Sequence, residues 1–217
     1  MRIRKKPNSI KKLETNEHIY VLKPESLKGK WHEHFENSNP INIELGMGRG
    51  TFIISHAQKN PQFNYIGIDQ ISEVLRSALD KILNIEEAPK NLFITRLNIE
   101  GIENVFENDE VDNIYLNFSD PWPKAKHVKR RLTHRNFLAR YKNILKNEGQ
   151  VIFKTDSREL FDYSLEEIKD SNLGFEIIDV TYDLTSLNDT ENVQTEYEKR
   201  FVEQGKPIHR LKAILHK

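Results

Sequence analysis

At 217 residues the chain is long enough to bury a substantial core as one large domain. Lysine plus arginine equals aspartate plus glutamate at 33 each, so the net field selects neither nucleic acid nor membrane, and any electrostatic footprint must be local. The absence of cysteine excludes disulfides, thiolate metal sites and a cysteine nucleophile, no apolar run approaches the roughly 20 residues of a membrane span, and the polar start MRIRKKPNSIKK lacks the apolar stretch of a secretory signal; the expectation is a soluble, cytoplasmic protein.

The first 40 residues show no clean hydrophobic period and read as an extension packed on the domain through Trp31 and Phe35. Its cations Arg2, Arg4, Lys5, Lys6, Lys11 and Lys12 precede the first acid, Glu14, and are compatible either with a flexible clamp on nucleic acid or with a disordered tail. Short β-branched runs then recur at 41–45 (INIEL), 64–69 (NYIGID), 91–99 (NLFITRLNI), 111–118 (VDNIYLNF) and 150–156 (QVIFKTD), the pattern of strands buried on both faces. Between them Ile71, Val74, Leu75, Ala78, Leu79 and Ile82 lie at helical spacing, as do Phe137, Tyr141, Ile144 and Leu145. Strands alternating with helices predict a doubly wound α/β fold with a mostly parallel sheet. After Gly174, FEIIDVTYDL and HRLKAILHK read as strands joined by a polar stretch without a clear helix, which predicts an antiparallel pair at one sheet edge.

ELGMGRG follows the first of these strands and opens a helix, so Gly46, Gly48 and Gly50 stand where a nucleotide cofactor meets the carboxyl ends of the strands. The spacing is G-x-G-x-G, without the G-x-x-G of a dinucleotide fingerprint or the G-K-[ST] of a P-loop. Glu44 puts a carboxylate beside the turn, which suits a cationic ligand better than a pyrophosphate. S-adenosylmethionine, with a sulfonium, an ammonium and no phosphate, meets that requirement. Asp69 ends the next strand at the position of a ribose acceptor, and Asn98 is a candidate for the adenine edge or an ordinary turn residue.

The fourth strand delivers SDPWP to the same carboxyl edge. Pro121 and Pro123 stiffen the loop around Trp122 and position Asp120 reproducibly. An acid, prolines and an aromatic at this place resemble the loop with which nitrogen-directed methyltransferases orient a planar base. From Pro121 to Asn147 there is no acid, while Lys124, Lys126, Lys129, Arg130, Arg131, Arg135, Arg140, Lys142 and Lys146 occur there, the composition of a phosphate-backbone contact surface. The eight histidines are scattered, and neither His32 with His34 nor His127 with His134 makes a recognisable metal set, so no metal is expected.

Taken together, ELGMGRG, YIGID, LNFSDPWPKAKHVKRRL, FKTDSR and TEYEKRF with G-x-P-I closely resemble the bacterial tRNA (guanine-N7-)-methyltransferases, from about residue 41 onward. The resemblance implies a Rossmann-like class I S-adenosylmethionine-dependent methyltransferase fold: a seven-stranded, mostly parallel sheet with an antiparallel edge strand, residues 41–217 forming the methyltransferase domain and 1–40 a basic extension packed on it. It implies methyl transfer to N7 of a guanine in the tRNA variable loop, with tRNA as partner; a homodimer is a compatible assembly. By motif position Glu44, Gly46, Gly48, Asp69, Asn98 and Asp120 would line the cofactor site, with Asp120 also catalytic. Lys124, Asp156, Thr195, Glu196, Tyr197 and Glu198 would meet the substrate, and Lys126, His127, Val128, Lys129, Arg130 and Arg131 would touch RNA. Two departures are Asp69, where the family often has glutamate, and NIEG at 98–101 in place of an acid–alanine pair. The rival readings account for less: a nicotinamide-dependent dehydrogenase leaves the basic block unexplained, and a non-catalytic RNA-binding protein leaves Glu44, Asp69 and the glycine turn unexplained.

Overall fold

The computed structural model describes residues 8–187, 189–190 and 192–217; the cations at 2, 4, 5 and 6 lie outside the described residues. The chain divides into two units, Met1–Glu107 and Asn108–Lys217.

The first unit opens with α1 (Ser9–Glu14), β1 (Tyr20–Val21), a 3-10 turn (Pro24–Leu27) and α2 (Trp31–Phe35), and continues through β2 (Ile41–Leu45), α3 (Thr51–Lys59), β3 (Asn64–Asp69), α4 (Ser72–Leu83) and β4 (Leu92–Arg96). Its four strands are all parallel, in the order β1-β4-β3-β2. Every residue of β2 and β3 is buried, the polar Asn42, Glu44, Asn64 and Asp69 included, as in a strand covered on both faces. The register sets Leu45 beside Ile68 and Asp69 beside Arg96, so the carboxyl ends of β2, β3 and β4 finish level with one another. The expected helical face of α4 is the buried one, with Val74, Leu75, Ala78, Leu79 and Ile82 inside. Before β2, Trp31 is fully buried, stacks on Phe106 and donates from Nε1 to the carbonyl of Val105 at 3.0 Å. Lys12, grouped with the basic arm in the sequence, instead pairs with Asp80 of α4 at 2.5 Å.

The second unit contains β5 (Val111–Asn117), a 3-10 helix (Ala125–Arg130), α5 (Arg135–Ile144), β6 (Leu145–Thr155), α6 (Arg158–Asp170), β7 (Phe175–Thr181), a second 3-10 turn (Leu184–Leu187), α7 (Glu196–Glu203) and β8 (His209–Leu215). The order is β5-β6-β8-β7: β5 and β6 are parallel, and β8 inserts between β6 and β7, antiparallel to both.

Two expectations are corrected. The described strands number eight rather than seven; the additional one is β1, whose two residues add to the outer edge of β4 and whose brevity hides it from any periodicity test. The polar stretch between β7 and β8 does contain a helix, α7. Its sequence supplies few apolar residues, but Thr195 accepts from the amide of Glu198 while Glu198 reaches back to the amide of Thr195, a reciprocal capping box that satisfies two of the orphan donors of the first turn.

Candidate functional site

In the first unit the turn after β2 has the geometry of a cradle. Gly46 and Gly48 have φ values of +76° and +55°, and a Cβ placed on either would meet nothing within 4 Å, so a ligand can approach the bare backbone there. Gly50 differs: its imagined Cβ would lie 2.9 Å from Cβ of Ala78, which makes it a packing glycine at the start of α3. The amides of Gly46 and Met47 both donate to the carbonyl of Ile68, tying the turn to the end of β3. Asp69 completes the arrangement, its Oδ2 accepting from the Gly48 amide at 3.0 Å and its Oδ1 from the Ile71 amide at 2.9 Å. Two backbone donors thus hold the carboxylate rigid. Glu44, second from the end of β2, is only 2% exposed. Asn98 is exposed, and its Oδ1 caps the 3-10 helix Ile99–Asn104 by accepting from Glu100 at 3.2 Å. That is the turn role open to it from the sequence, and it leaves the two amide N–H donors of its side chain for other partners. Open space over two glycines, a buried carboxylate and a fixed ribose-type acceptor at level strand ends fit a cationic nucleoside without phosphate.

In the second unit the loop after β5 presents Asp120, exposed and with no hydrogen bond or ion pair among the described residues. Left-handed torsions stand on both sides of it, Phe118 with φ +52° and Trp122 with φ +41°. Non-glycine residues adopt such torsions only when their surroundings over-determine them. Here the Phe118 amide donates to the Lys154 carbonyl at 2.8 Å, and the ring of Trp122 is flanked by the guanidinium of Arg130 at 4.9 Å and the edge of His127 at 5.5 Å. The ring of Phe118 lies 6.4 Å from Tyr197 and 5.8 Å from Phe201, so the first turn of α7 stands beside the Asp120 loop. Tyr197 is 57% exposed, an aromatic face open to solvent. Glu196 is exposed too, whereas Thr195 is buried with its hydroxyl in the cap.

Glu198 is fully buried: its Oε2 accepts from Lys154 Nζ at 2.8 Å and its Oε1 from Asn192 Nδ2 at 2.5 Å. It therefore holds the segment before α7 rather than facing outward with Glu196 and Tyr197. Asp156 follows β6, partly exposed, with Lys206 at 3.8 Å; the helix cap beside it is Ser157, which leaves the Asp156 carboxylate outside the cap.

The acid-free basic block separates into two sets. Lys124, Lys126, Lys129 and Arg130 are exposed, and none pairs with a carboxylate among the described residues. His127 and Val128 are half-buried between them. Arg131, Arg135 and Lys146 instead meet acids supplied by distant parts of the chain, Glu159, Glu167 and Asp112. Arg131 departs most from the expected RNA contact, because its side chain is 5% exposed. No group of three or more His, Asp or Glu side chains able to hold a metal occurs among the described residues, and no described helix is long and apolar enough to cross a membrane.

The order of strands and helices together with the glycine cradle defines a class of protein, the class I methyltransferase fold. An antibiotic-related methyltransferase of known structure shares it at a TM-score of 0.65 and 22% identity, covering 86% of this chain and 94% of its own. A mutant 16S rRNA (adenine(1408)-N(1))-methyltransferase from Catenulisporales acidiphilia, with cosubstrate SAM, matches at a TM-score of 0.56 and 14% identity over 87% and 91% of the two chains. Residues 38–211 match the Methyltransf_4 family, described as putative methyltransferase. The tRNA (guanine-N(7)-)-methyltransferase of Lachnoclostridium phytofermentans is 51% identical over 100% of both chains. The chain belongs to this tRNA (guanine-N7-)-methyltransferase family.

Proposed function

We propose that the protein transfers a methyl group from S-adenosylmethionine to N7 of a guanine in the variable loop of tRNA, in the cytoplasm. The observation that carries this reading is the loop around Asp120: an exposed carboxylate on a torsionally locked backbone, next to the open face of Tyr197 and to four exposed cations without acidic partners among the described residues.

The cofactor, when bound, supplies an electrophilic methyl on a sulfonium. Glu44 and the backbone of Gly46 and Gly48 hold its cationic end, Asp69 accepts from the ribose hydroxyls, and Asn98 offers its amide to the adenine edge. Guanine N7 has an in-plane lone pair and no proton, so attack needs no general base, and rate comes from orientation and electrostatics. Methylation makes the purine cationic. Asp120 stabilises that developing charge or accepts from the guanine N1 and N2 donors, and Asp156 and Glu196 are further acceptors for the base edge. Tyr197 stacks on the splayed base. Thr195 and Glu198, enclosed in the cap, serve by presenting Glu196 and Tyr197. Lys124, Lys126, Lys129 and Arg130 meet the phosphate backbone, each adding to the salt dependence of binding.

The test is methyl transfer from labelled S-adenosylmethionine to unmodified tRNA, followed by borohydride and aniline cleavage, which is selective for N7-methylguanine. Cleavage at the labelled variable-loop guanine is expected. Label on another atom or another RNA would send the assignment elsewhere while keeping the fold.

A further inference from the structure

Arg131 stands in a run of cations, yet its guanidinium is turned inward. Nε donates to the carbonyl of Pro121 at 3.0 Å, and Nη2 donates to the carbonyl of Trp122 at 3.3 Å and to Oε1 of Glu159 at 3.0 Å. The plane of the guanidinium lies over the ring of Tyr163, 4.4 Å from its centroid. Glu159 and Tyr163 both belong to α6, so one side chain fastens two successive carbonyls of the Asp120 loop to a helix. These carbonyls belong to the residues immediately after Asp120, and the second is that of Trp122, whose φ of +41° needs an outside restraint. A planar fork with several fixed donors can hold two adjacent carbonyls and a carboxylate at once, which a lysine ammonium cannot do in the same geometry.

We infer that Arg131 is a positioning residue for methyl transfer: it sets the backbone that presents Asp120, and it does not contact RNA. The inference rests on the reading of Asp120 as the carboxylate at the reacting base. The neighbouring Arg130 is its opposite, exposed and with no carboxylate partner among the described residues, so adjacent arginines of one motif divide between substrate grip and loop geometry.

The experiment compares Arg131→Lys with the double variant Lys129→Ala/Arg130→Ala, using single-turnover methylation at saturating tRNA and S-adenosylmethionine, and tRNA Kd as a function of salt. Arg131→Lys is expected to lower the single-turnover rate about tenfold or more while leaving tRNA Kd and its salt slope at wild-type values. The double variant is expected to weaken tRNA binding and flatten the slope by about 0.7 to 0.9 for each phosphate no longer neutralised. A normal saturated rate for Arg131→Lys, with weaker and less salt-sensitive binding, would overturn the inference.

Glu159→Ala provides an independent arm that leaves Arg131 in place, since the Glu159 side chain is 70% exposed and its loss does not open the core. If Arg131 positions the loop, this variant slows the saturated rate about two- to fivefold without weakening tRNA binding. If Arg131 grips phosphate, removing its acid frees it and tightens tRNA binding at an unchanged rate, the contrary result. Asp120→Asn separates the two levels: full activity in that variant rejects the reading of Asp120, whereas an inactive Asp120→Asn beside a fully active Arg131→Lys rejects only the role given to Arg131.

Discussion

The ammonium of Lys154 sits 2.8 Å from Oε2 of Glu198, with the two side chains 3% and 0% exposed. Lys154 Nζ also donates to the carbonyl of Val193 and to Oδ1 of Asn192, both at 3.1 Å, so the end of β6 is bolted to the segment that leads into α7. Breaking a buried pair from one side strands the other charge away from water. Lys154→Met and Glu198→Leu should each destabilise by about 3 kcal/mol, while the two combined should cost less than the sum of the singles. Urea unfolding of the four proteins reads this cycle directly.

The charge on Asp120 is the feature its amide analogue removes. Asp120→Asn should lower the saturated methylation rate by about a hundredfold, the scale of one preorganised electrostatic group. Affinity for tRNA should be unchanged, as the side chain carries no positive charge to phosphate; filter binding alongside single-turnover assays makes the comparison.

Glycines of the cradle should separate by what they face. Gly48→Ala puts a methyl into the open space over the turn and should weaken S-adenosylmethionine binding about tenfold or more, at a stability cost of about 1 kcal/mol for the left-handed torsion. Gly50→Ala meets Ala78 at 2.9 Å and Cδ1 of Ile54 at 3.2 Å, so thermal unfolding should register a larger loss than for Gly48→Ala. Calorimetry with the cofactor and melting curves without it test both halves.

His134 caps α5 with its ring, Nδ1 accepting from the Asn136 amide at 3.1 Å, and so must be neutral to serve. Burial pushes its pKa below the ordinary 6.5; Glu167 opposes that shift, and Arg135 and Lys129 add to it. The unfolded state then takes up the proton first. The cap's contribution is complete above about pH 6.5 and declines as pH falls from there toward the depressed folded value. In His134→Asn, which can cap without titrating, the drop in stability between pH 7 and 5 should be smaller than in the wild type, at about 1 kcal/mol or less of difference. Urea midpoints across that range check it.

Much of the first unit was legible because Ile41, Ile43, Ile66 and Ile68 mark β2 and β3 as short β-branched segments ending in Leu45 and Asp69, and the glycine turn sits where the first of them stops. The loop of Asp120 was legible for a different reason, since two prolines in a few residues restrict the backbone by covalent geometry alone. Tertiary partners defeated the rest. Helix α7 shows only Tyr197, Phe201 and Val202 as apolar residues, and its anchor, Lys154, lies 44 positions from Glu198. The T-x-x-E of its capping box was the one local signal for it. Arg131 looks like Arg130 in any reading of charge; Glu159, 28 positions away, the ring of Tyr163 and the two loop carbonyls distinguish it.

The insertion of β8 between β6 and β7 has a consequence for how the second unit comes into being. Thr155 of β6 pairs with His209, and Phe175 of β7 pairs with Leu215, so neither earlier strand finds its hydrogen-bonding neighbour on that side until the last strand has been made. During synthesis β6 and β7 wait with open edges, the condition under which nascent chains recruit the wrong strand. The loop that presents Asp120 leans on Lys154 within one of those waiting strands. That contact lies on the β5 side of β6, so the loop can be fixed from one side while the opposite edge of the same strand stays open until β8 arrives.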